Sequence, residues 1–581
     1  MDTFEKIILF IISEKPANKA EFDDARRRIC SRLRIAQPGN RHLLKAYQDL
    51  LKKKRVDGSR LIEELLKKAT MRSQSGVAII TSLVKPFFCP GKCTYCPTEV
   101  KMPKSYIATE PAAARALRLN FSPYEQMKQR ILMLQKNGHP VDKIEFIVKG
   151  GTWNAYELKY QYWFILESFR ACNELSRKNR PPETEDESVD RNVRDGRLGA
   201  MDKQPENQPY ASHNLNISLG EWQSELESEQ RKNEKSKHRI IGLTLETRPD
   251  AINPVTIKHL RQLGCTRVEL GLQATDDRIL ERVKRGHTVE QFRVAMASLR
   301  EAGFKVDLHF MPDLPGSDPE HDLAMYREIF SDPGLKPDMI KIYPCTVVKN
   351  TELYDEFKRG EYIPYGNTPE MFEALIQMKL ATPRYCRISR LIRDIPANEI
   401  EAGNIITNLR ETLIREMKKR DLNCRCLRCR EIGHIDAKTQ KRLSGSAPIF
   451  FVDRYETIGG DEYFLSFEDK KRTAVFGFAR LRLPAHSKKS KLNDAFPELK
   501  GCAFIRELHV YGQLIGIGEK NKDASQHKGL GKKLMGAAEK IATEKNFKKV
   551  AVISGVGVRG YYRKLGYRKV KTYMIKKLSS G

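Results

Sequence analysis

Phe87-Phe88-Cys89-Pro90-Gly91-Lys92-Cys93-Thr94-Tyr95-Cys96-Pro97 is the stretch from which the rest of the chain can be ordered. Three residues separate the first two cysteines and two separate the second pair. A cubane iron–sulfur cluster takes four thiolates. Three closely spaced ones can therefore hold three irons and leave the fourth open to another ligand. Loop cysteines at such spacings also occur as half of a zinc site, and the triplet alone leaves that alternative standing.

The surroundings decide between them. Strand-like runs occur at Val77–Thr81, Ile144–Val148, Ile240–Leu245, Arg267–Leu272, Lys305–Phe310 and Met339–Tyr343, with amphipathic helical stretches such as Glu125–Gln135 and Asp277–Arg285 between them. That alternation predicts βαβ units and a parallel sheet, closed into a partial barrel whose ligands sit at the C-terminal strand ends. Those ends carry chemistry. Lys149-Gly150-Gly151-Thr152 offers paired glycines that let an amino group approach the backbone. Glu246-Thr247-Arg248-Pro249-Asp250 offers a carboxylate for a ribose diol and an arginine for a carboxylate. Gly271-Leu272-Gln273 and His309–Gly316 complete the rim. The cysteine spacing, with an aromatic before the last cysteine, resembles the radical-SAM signature. That resemblance implies a [4Fe-4S] cluster on Cys89, Cys93 and Cys96, with S-adenosylmethionine on the open iron and against Gly150, Gly151, Glu246 and Arg248.

The chain has 581 residues, is 40% hydrophobic and carries a formal charge of +30. Its length requires several domains. Its charge favours a polyanionic partner, nucleic acid before membrane, since no long basic amphipathic helix stands out. The acidic start and the short apolar run Ile7–Ile12 do not make a signal peptide or a span, so a cytoplasmic location is expected. Twelve cysteines there read as metal ligands and free thiols; Cys30, Cys172, Cys265, Cys345 and Cys502 are expected as isolated buried thiols.

We divide the chain into a basic helical, phosphate-binding region (1–75), the partial barrel (76–383), a cysteine-rich zinc linker (384–439) and a C-terminal α/β domain (440–581). In the first, Leu43, Leu44, Tyr47, Leu50 and Leu51 form one stripe, continued by Leu61 and Leu65, with Lys52, Lys53, Lys54 and Arg55 beside it. Residues 176–238 are polar and charged and read as a disordered or peripheral insertion, with a helix over Leu219–Lys237.

Cys424, Cys426 and Cys429 supply three thiolates for a structural zinc, which wants four ligands. Cys386 is the preferred fourth, because an all-thiolate site would staple the barrel's exit to the next domain; His434 is the alternative. Further on, the strand Phe504–Val510 precedes a loop and the turn Gln526-His527-Lys528-Gly529-Leu530-Gly531, which opens a helix with Leu530, Leu534, Ala538 and Ile541 on one face. Free amides at such a turn face an anion. This order, closed by Gly560-Tyr561-Tyr562-Arg563-Lys564-Leu565-Gly566-Tyr567, resembles the acetyl-CoA site of GNAT acetyltransferases.

A radical-SAM barrel, a cysteine-rich linker and a GNAT domain in one chain resemble the Elongator catalytic-subunit family, and the short Cys89–Cys93 gap resembles its bacterial-type members. The resemblance includes Arg72–Ala78, Val141–Val148, Glu246–Asp250 and Arg506–Gly512. It implies an enzyme that forms 5-carboxymethyluridine at wobble uridine 34 of tRNA. A 5′-deoxyadenosyl radical from S-adenosylmethionine takes hydrogen from the acetyl methyl of acetyl-CoA, the carbon radical adds to uridine C5, and the thioester is hydrolysed. Carried over, acetyl-CoA contacts fall on Lys143, Glu507, Leu508, His509, Val510, Ser525, Gln526, His527, Lys528, Gly529, Gly531 and Tyr562, with Lys143 and Tyr562 in catalytic roles. Partners are the tRNA anticodon stem-loop and, where the source has them, other Elongator subunits. The competing reading is a protein lysine acetyltransferase with a structural radical-SAM-like domain.

Overall fold

The computed structural model describes residues 2–67, 76–176, 217–435, 439, 443, 447–485, 492–511 and 529–578. Helices Thr3–Ser13, Lys19–Arg32, Asn40–Lys52 and Arg60–Leu66 form the N-terminal lobe. The Asn18 and Ser59 side chains cap two of them, accepting from the amides of Glu21 and Ile62. Ile7, Ile11, Phe22, Leu43, Tyr47 and Leu50 make its core. Leu65 faces inward as the stripe requires, but Leu61 faces solvent, and Ile62 and Leu66 are buried beside Leu65.

The central sheet holds β1 (Ala78–Leu83), β2 (Lys143–Lys149), β3 (Arg239–Thr247), β4 (Arg267–Gln273), β5 (Lys305–Phe310) and β6 (Met339–Ile342). After β7 (Thr346–Val348) comes β8 (Arg387–Arg390), then β9 (Ile400–Gly403), which pairs antiparallel with β7. The order β1-β2-β3-β4-β5-β6-β8 is parallel throughout, so the partial barrel has one strand more than the six expected. Side chains alternate along each strand. Ile144, Phe146, Val268, Leu270, Val306 and Leu308 belong to the apolar core. The opposite face is polar: Glu145, Lys149, Thr244, Glu246, Arg267, Glu269, His309 and Lys341 bond to one another across a charged lumen.

Residues 217–238 are not peripheral. Ser218 caps the helix Leu219–Asn233, and Trp222, Leu226, Gln230 and Asn233 bury its inner face. Asn233 bonds to Asn173 and to the amide of Ile240, which fastens the helix to the start of β3. The rest of the expected insertion, 177–216, lies outside the described residues.

The C-terminal domain is a second seven-stranded sheet. It contains β10 (Ile449–Thr457), β11 (Gly460–Glu468), β12 (Val475–Pro484), β13 (Cys502–Val510), β14 (Lys549–Val552), β15 (Arg568–Val570) and β16 (Tyr573–Lys577), in the order β10-β11-β12-β13-β14-β16-β15. Only β13 and β14 run parallel, and they pair only from Cys502–Ile505 against Lys549–Val552. On its other side β13 stays paired with β12 as far as Val510. The backbone of Arg506–Val510 therefore parts from β14, leaving a split in the sheet. The helix Leu530–Glu544 packs on this sheet through Leu530, Leu534, Met535, Ala538 and Ala542.

This domain covers the N-terminal ends of the barrel strands. The Tyr573 hydroxyl donates to Ala302 O (2.8 Å), Arg506 donates to Phe304 O (2.8 Å), and Gly555 lies against Ile241 O. The junction is ionic and buried. Arg300, Arg480, Arg482, Arg506, Asp338 and Glu462 all have fully buried side chains. Arg506 donates to Asp338 (2.8 Å) and to Glu462 (2.9 and 3.1 Å), and Glu462 also accepts from Arg300 (2.8 Å) and Arg482 (3.2 Å).

Candidate functional site: the barrel rim and the split sheet

The cysteine loop follows β1, so it stands on the rim at the C-terminal strand ends. Cys93 Sγ lies beside Cys96; the hydrogen bond between them lowers the Cys93 thiol and raises that of Cys96, and the Arg285 guanidinium adds positive potential at Cys93. Cys89 stands further out, its Sγ 3.4 Å from Thr152 Oγ1. Arg248 is fixed to Asp250 (2.9 and 3.1 Å) and to Gly286 O (3.2 Å), while its second terminal nitrogen is buried without a partner. That nitrogen points at the loop, where a Cβ on Gly91 would collide with it. An ionisable thiol and a buried, unsatisfied guanidinium suit a thiolate-bound cluster and an anionic ligand. The fit extends to Gly150 and Gly151, whose φ angles of +126° and +84° open the backbone next to Thr152.

Beneath the loop lies a charged layer. Lys149 pairs with Glu246 (3.1 Å) and Glu269, Lys341 pairs with Glu269, and His309 Nε2 reaches Glu269 at 3.2 Å. Burial pushes Glu246 up, but Lys149 and Lys341 outweigh it and hold the carboxyl at about 2. Burial, then Lys341, pulls His309 well below the usual imidazole range. Glu246, Glu269 and His309 are spaced like metal ligands, but the side-chain nitrogens of Lys149 and Lys341 already bond to these carboxylates. Glu246, expected to face a ligand, is thus tied into this layer.

At the other end of the lumen is the split sheet. Glu507 bonds to Arg480 (2.8 Å) and Lys305 (3.5 Å); burial raises its carboxyl, yet these cations hold it at about 2. Burial lowers His509 to about 4, so its imidazole is neutral at pH 7. Its ring stacks on Phe478 and lies 4.3 Å from that of Tyr511. Tyr562 and Tyr567 both belong to the domain's core; burial raises the Tyr562 phenol, and Tyr567 donates to Glu539 (2.8 Å). Gly529, at φ +93°, caps the helix with a left-handed turn, and Gly531 lies under the Tyr561 hydroxyl. Ser525, Gln526, His527 and Lys528 lie outside the described residues. Lys143 is exposed at the start of β2, in register with Arg239, which meets Gly557 of the C-terminal domain.

The second cysteine group closes only in part. The sulfurs of Cys424, Cys426 and Cys429 lie within 4.8 Å of one another. Cys386 and His434 are not among the three mutually close ligands. His434 turns to Glu431 instead (3.2 Å), whereas Cys386 is buried and accepts the Leu427 amide on its carbonyl (2.8 Å). Buried Lys379 lies 3.8 Å from Cys429 Sγ.

Comparison with known proteins fits this geometry. The profile of the Radical SAM superfamily matches residues 211–329, that of the Radical_SAM C-terminal domain 337–419, and that of the Acetyltransferase (GNAT) family 436–567. These domains imply a [4Fe-4S] cluster, S-adenosylmethionine and acetyl-CoA. The tRNA uridine(34) acetyltransferase of Methanocaldococcus infernus is 40% identical over 556 residues, covering 94% of this chain and 93% of that protein. The chain belongs to this family. The Dehalococcoides mccartyi member is 39% identical over 88% of this chain and its own whole length. The human Elongator complex protein 3 is 34% identical over 88% of this chain and 86% of its own. A solved structure of the archaeal M. infernus Elp3 with an N-terminal deletion superposes with a TM-score of 0.67 at 37% identity, covering 87% of this chain and all of that one. Among the described residues no helix is long and apolar enough to cross a membrane.

Sequence reasoning missed Arg285, His287, Glu269 and Lys341. The sequence places Arg285 at the end of the helical stretch Asp277–Arg285; the fold ends that helix at Arg282 and shows Arg285 and His287 buried at the cluster loop. Glu269 and Lys341 sit inside strands and read as ordinary polar alternation.

Proposed function

We propose that this enzyme forms 5-carboxymethyluridine at uridine 34 of tRNA, using acetyl-CoA and S-adenosylmethionine. The observation that carries this reading is a thiolate loop and a split GNAT sheet at opposite ends of one polar lumen. Six-residue strands at about 3.3 Å per residue put roughly 20 Å between those ends.

Cys89, Cys93 and Cys96 would hold the cluster, which when bound supplies the electron that cleaves S-adenosylmethionine. Gly150 and Gly151 present backbone to the amino group, and Arg248 presents its free nitrogen to the carboxylate. Glu507–Val510 offer an unpaired strand edge to the pantetheine arm. Tyr562 keeps its proton and can donate one hydrogen bond to a thioester oxygen. Neutral His509 can accept a proton from attacking water. Lys143 adds positive charge at the domain junction. The +30 charge suits tRNA as the polyanion, bound in part by the N-terminal lobe. Zinc on Cys424, Cys426 and Cys429 would fasten the linker, with Cys386 as fourth ligand; the Leu427–Cys386 hydrogen bond supports Cys386 over His434.

The test is direct. Protein reconstituted with iron and sulfide is incubated with tRNA, S-adenosylmethionine, a reductant and acetyl-CoA, and nucleosides are analysed by mass spectrometry. Carboxymethyluridine is expected, and its loss in Cys93→Ala; absence of product from fully loaded protein refutes the reading. Lysine acetylation that survives Cys93→Ala would mark the acetyltransferase alternative.

A further inference from the structure

Two arginines flank the cysteine loop, and their hydrogen bonds differ. Arg248 spends most of its donors on Asp250 and Gly286 O. Arg285 belongs to the turn after the helix Asp277–Arg282 and is buried. Its NH2 donates to Gly271 O at 2.7 Å and its Nε to His287 Nε2 at 3.0 Å. Those two bonds aim NH1 at Cys93 Sγ, 3.6 Å away. Among the described residues no carboxylate forms an ion pair with Arg285. A buried guanidinium needs a counter-charge, and the nearest candidates are the loop's sulfurs.

We propose that Arg285 is a positioning residue that sets the reduction potential of the cluster held by Cys89, Cys93 and Cys96. Net charge and hydrogen bonds to the sulfurs are what tune such potentials. A fixed cation that donates to a cysteinyl sulfur draws electron density off the thiolate. It favours the form carrying one more electron, so the potential rises. Reduction adds one electron, and no proton moves at Arg285. His287 acts through Arg285, as the acceptor that holds the plane of the guanidinium.

The proposal rests on the cluster lying at this triplet, and the experiment separates the two. Full-length protein reconstituted with iron and sulfide is titrated electrochemically, with the reduced cluster read by electron paramagnetic resonance and iron measured in parallel. Arg285→Met is expected to hold the parent's iron content while its reduced-to-oxidised ratio at a fixed potential drops at least tenfold, about 59 mV for a one-electron couple. Arg285→Lys should recover part of the shift, since it keeps charge but loses the fork to Gly271 and His287. His287→Phe should move the midpoint the same way by less. An unchanged midpoint in iron-loaded Arg285→Met overturns the proposal. If that variant binds too little iron, unchanged midpoints in both Arg285→Lys and His287→Phe overturn it instead. Iron missing from the parent protein would point to the cluster assignment, not to Arg285.

Discussion

Replacing Arg506 with Met should loosen the C-terminal domain from the barrel, and the cost can be worked from its contacts. Arg506 neutralises Asp338 and Glu462, both fully buried, and also satisfies Phe304 O. Met fills much of the volume but leaves Asp338 with only the Val306 amide at 3.0 Å and Arg480 at 3.7 Å. Glu462 keeps Arg300 and Arg482. Breaking a buried pair by removing one partner costs about 3–5 kcal/mol. At about 1.4 kcal/mol per tenfold, the docked-to-undocked ratio falls by roughly a hundred- to a few thousand-fold. Native-state hydrogen exchange reads this at the Val306 amide, which donates to Asp338, and at Ile458, whose amide donates to Pro333 O (2.8 Å). Asp338→Asn in the Arg506→Met background should recover much of the loss, because it removes the stranded charge. Asp338 is held far below the usual carboxylate range: burial pushes it up, and Arg506 and Arg300 outweigh that. Its contribution is therefore complete above about pH 4 and fades only in stronger acid. Unchanged exchange in Arg506→Met, or a double variant as damaged as the two singles summed, would refute the account of the junction.

Asp313 makes a pH prediction. Burial raises its carboxyl to about 7, so it stays protonated in the fold while the unfolded chain ionises, and stability declines from about pH 4 to about pH 7. Asp313→Asn should gain on the parent in thermal denaturation at pH 8 and not at pH 5; an equal gap at both refutes it. Lys52→Glu with Lys54→Glu should weaken tRNA binding and lower the slope of log affinity against log salt by about 1–2. Lys53 is left in place because it holds the buried Glu5 at 2.6 Å. Unchanged affinity would remove this lobe from the RNA surface. On the proposed zinc reading, the parent protein should carry zinc by metal analysis and Cys424→Ser should lose it, with more protease cleavage between 420 and 435 by mass spectrometry; full zinc retention would exclude Cys424 as a ligand.

Much of this fold was legible because burial leaves periodic marks. Six barrel strands stood out as apolar runs between helices, and the rim motifs followed them. The seventh, Arg387–Arg390, has one apolar residue, Ile388, and pairs only with β6, so no pattern announced it. Strand Tyr573–Lys577 carries Lys576 and Lys577 at its end, so charge masks its apolar run. Residues 217–238 read as insertion because Trp222 and Leu226 are too few to outweigh the surrounding charge, although the helix inside it was visible. Contacts among buried charges were beyond reach: Arg506 and Asp338 lie 168 residues apart, and Arg506 and Glu462 lie 44 apart. Nothing local says that an arginine in a strand will be buried. The same holds for Arg285, whose partner Cys93 is 192 residues away.

The C-terminal domain seats on the N-terminal strand ends while the cysteine loop crowns the other side, and this gives the barrel two separate doors. On the proposed reading, coenzyme A enters by the lower door and RNA by the upper. Neither reactant has to leave before the other arrives. Between the two doors stands a layer of buried, paired charges, Lys149, Glu246, Glu269, His309 and Lys341, that both reactants would meet from opposite sides.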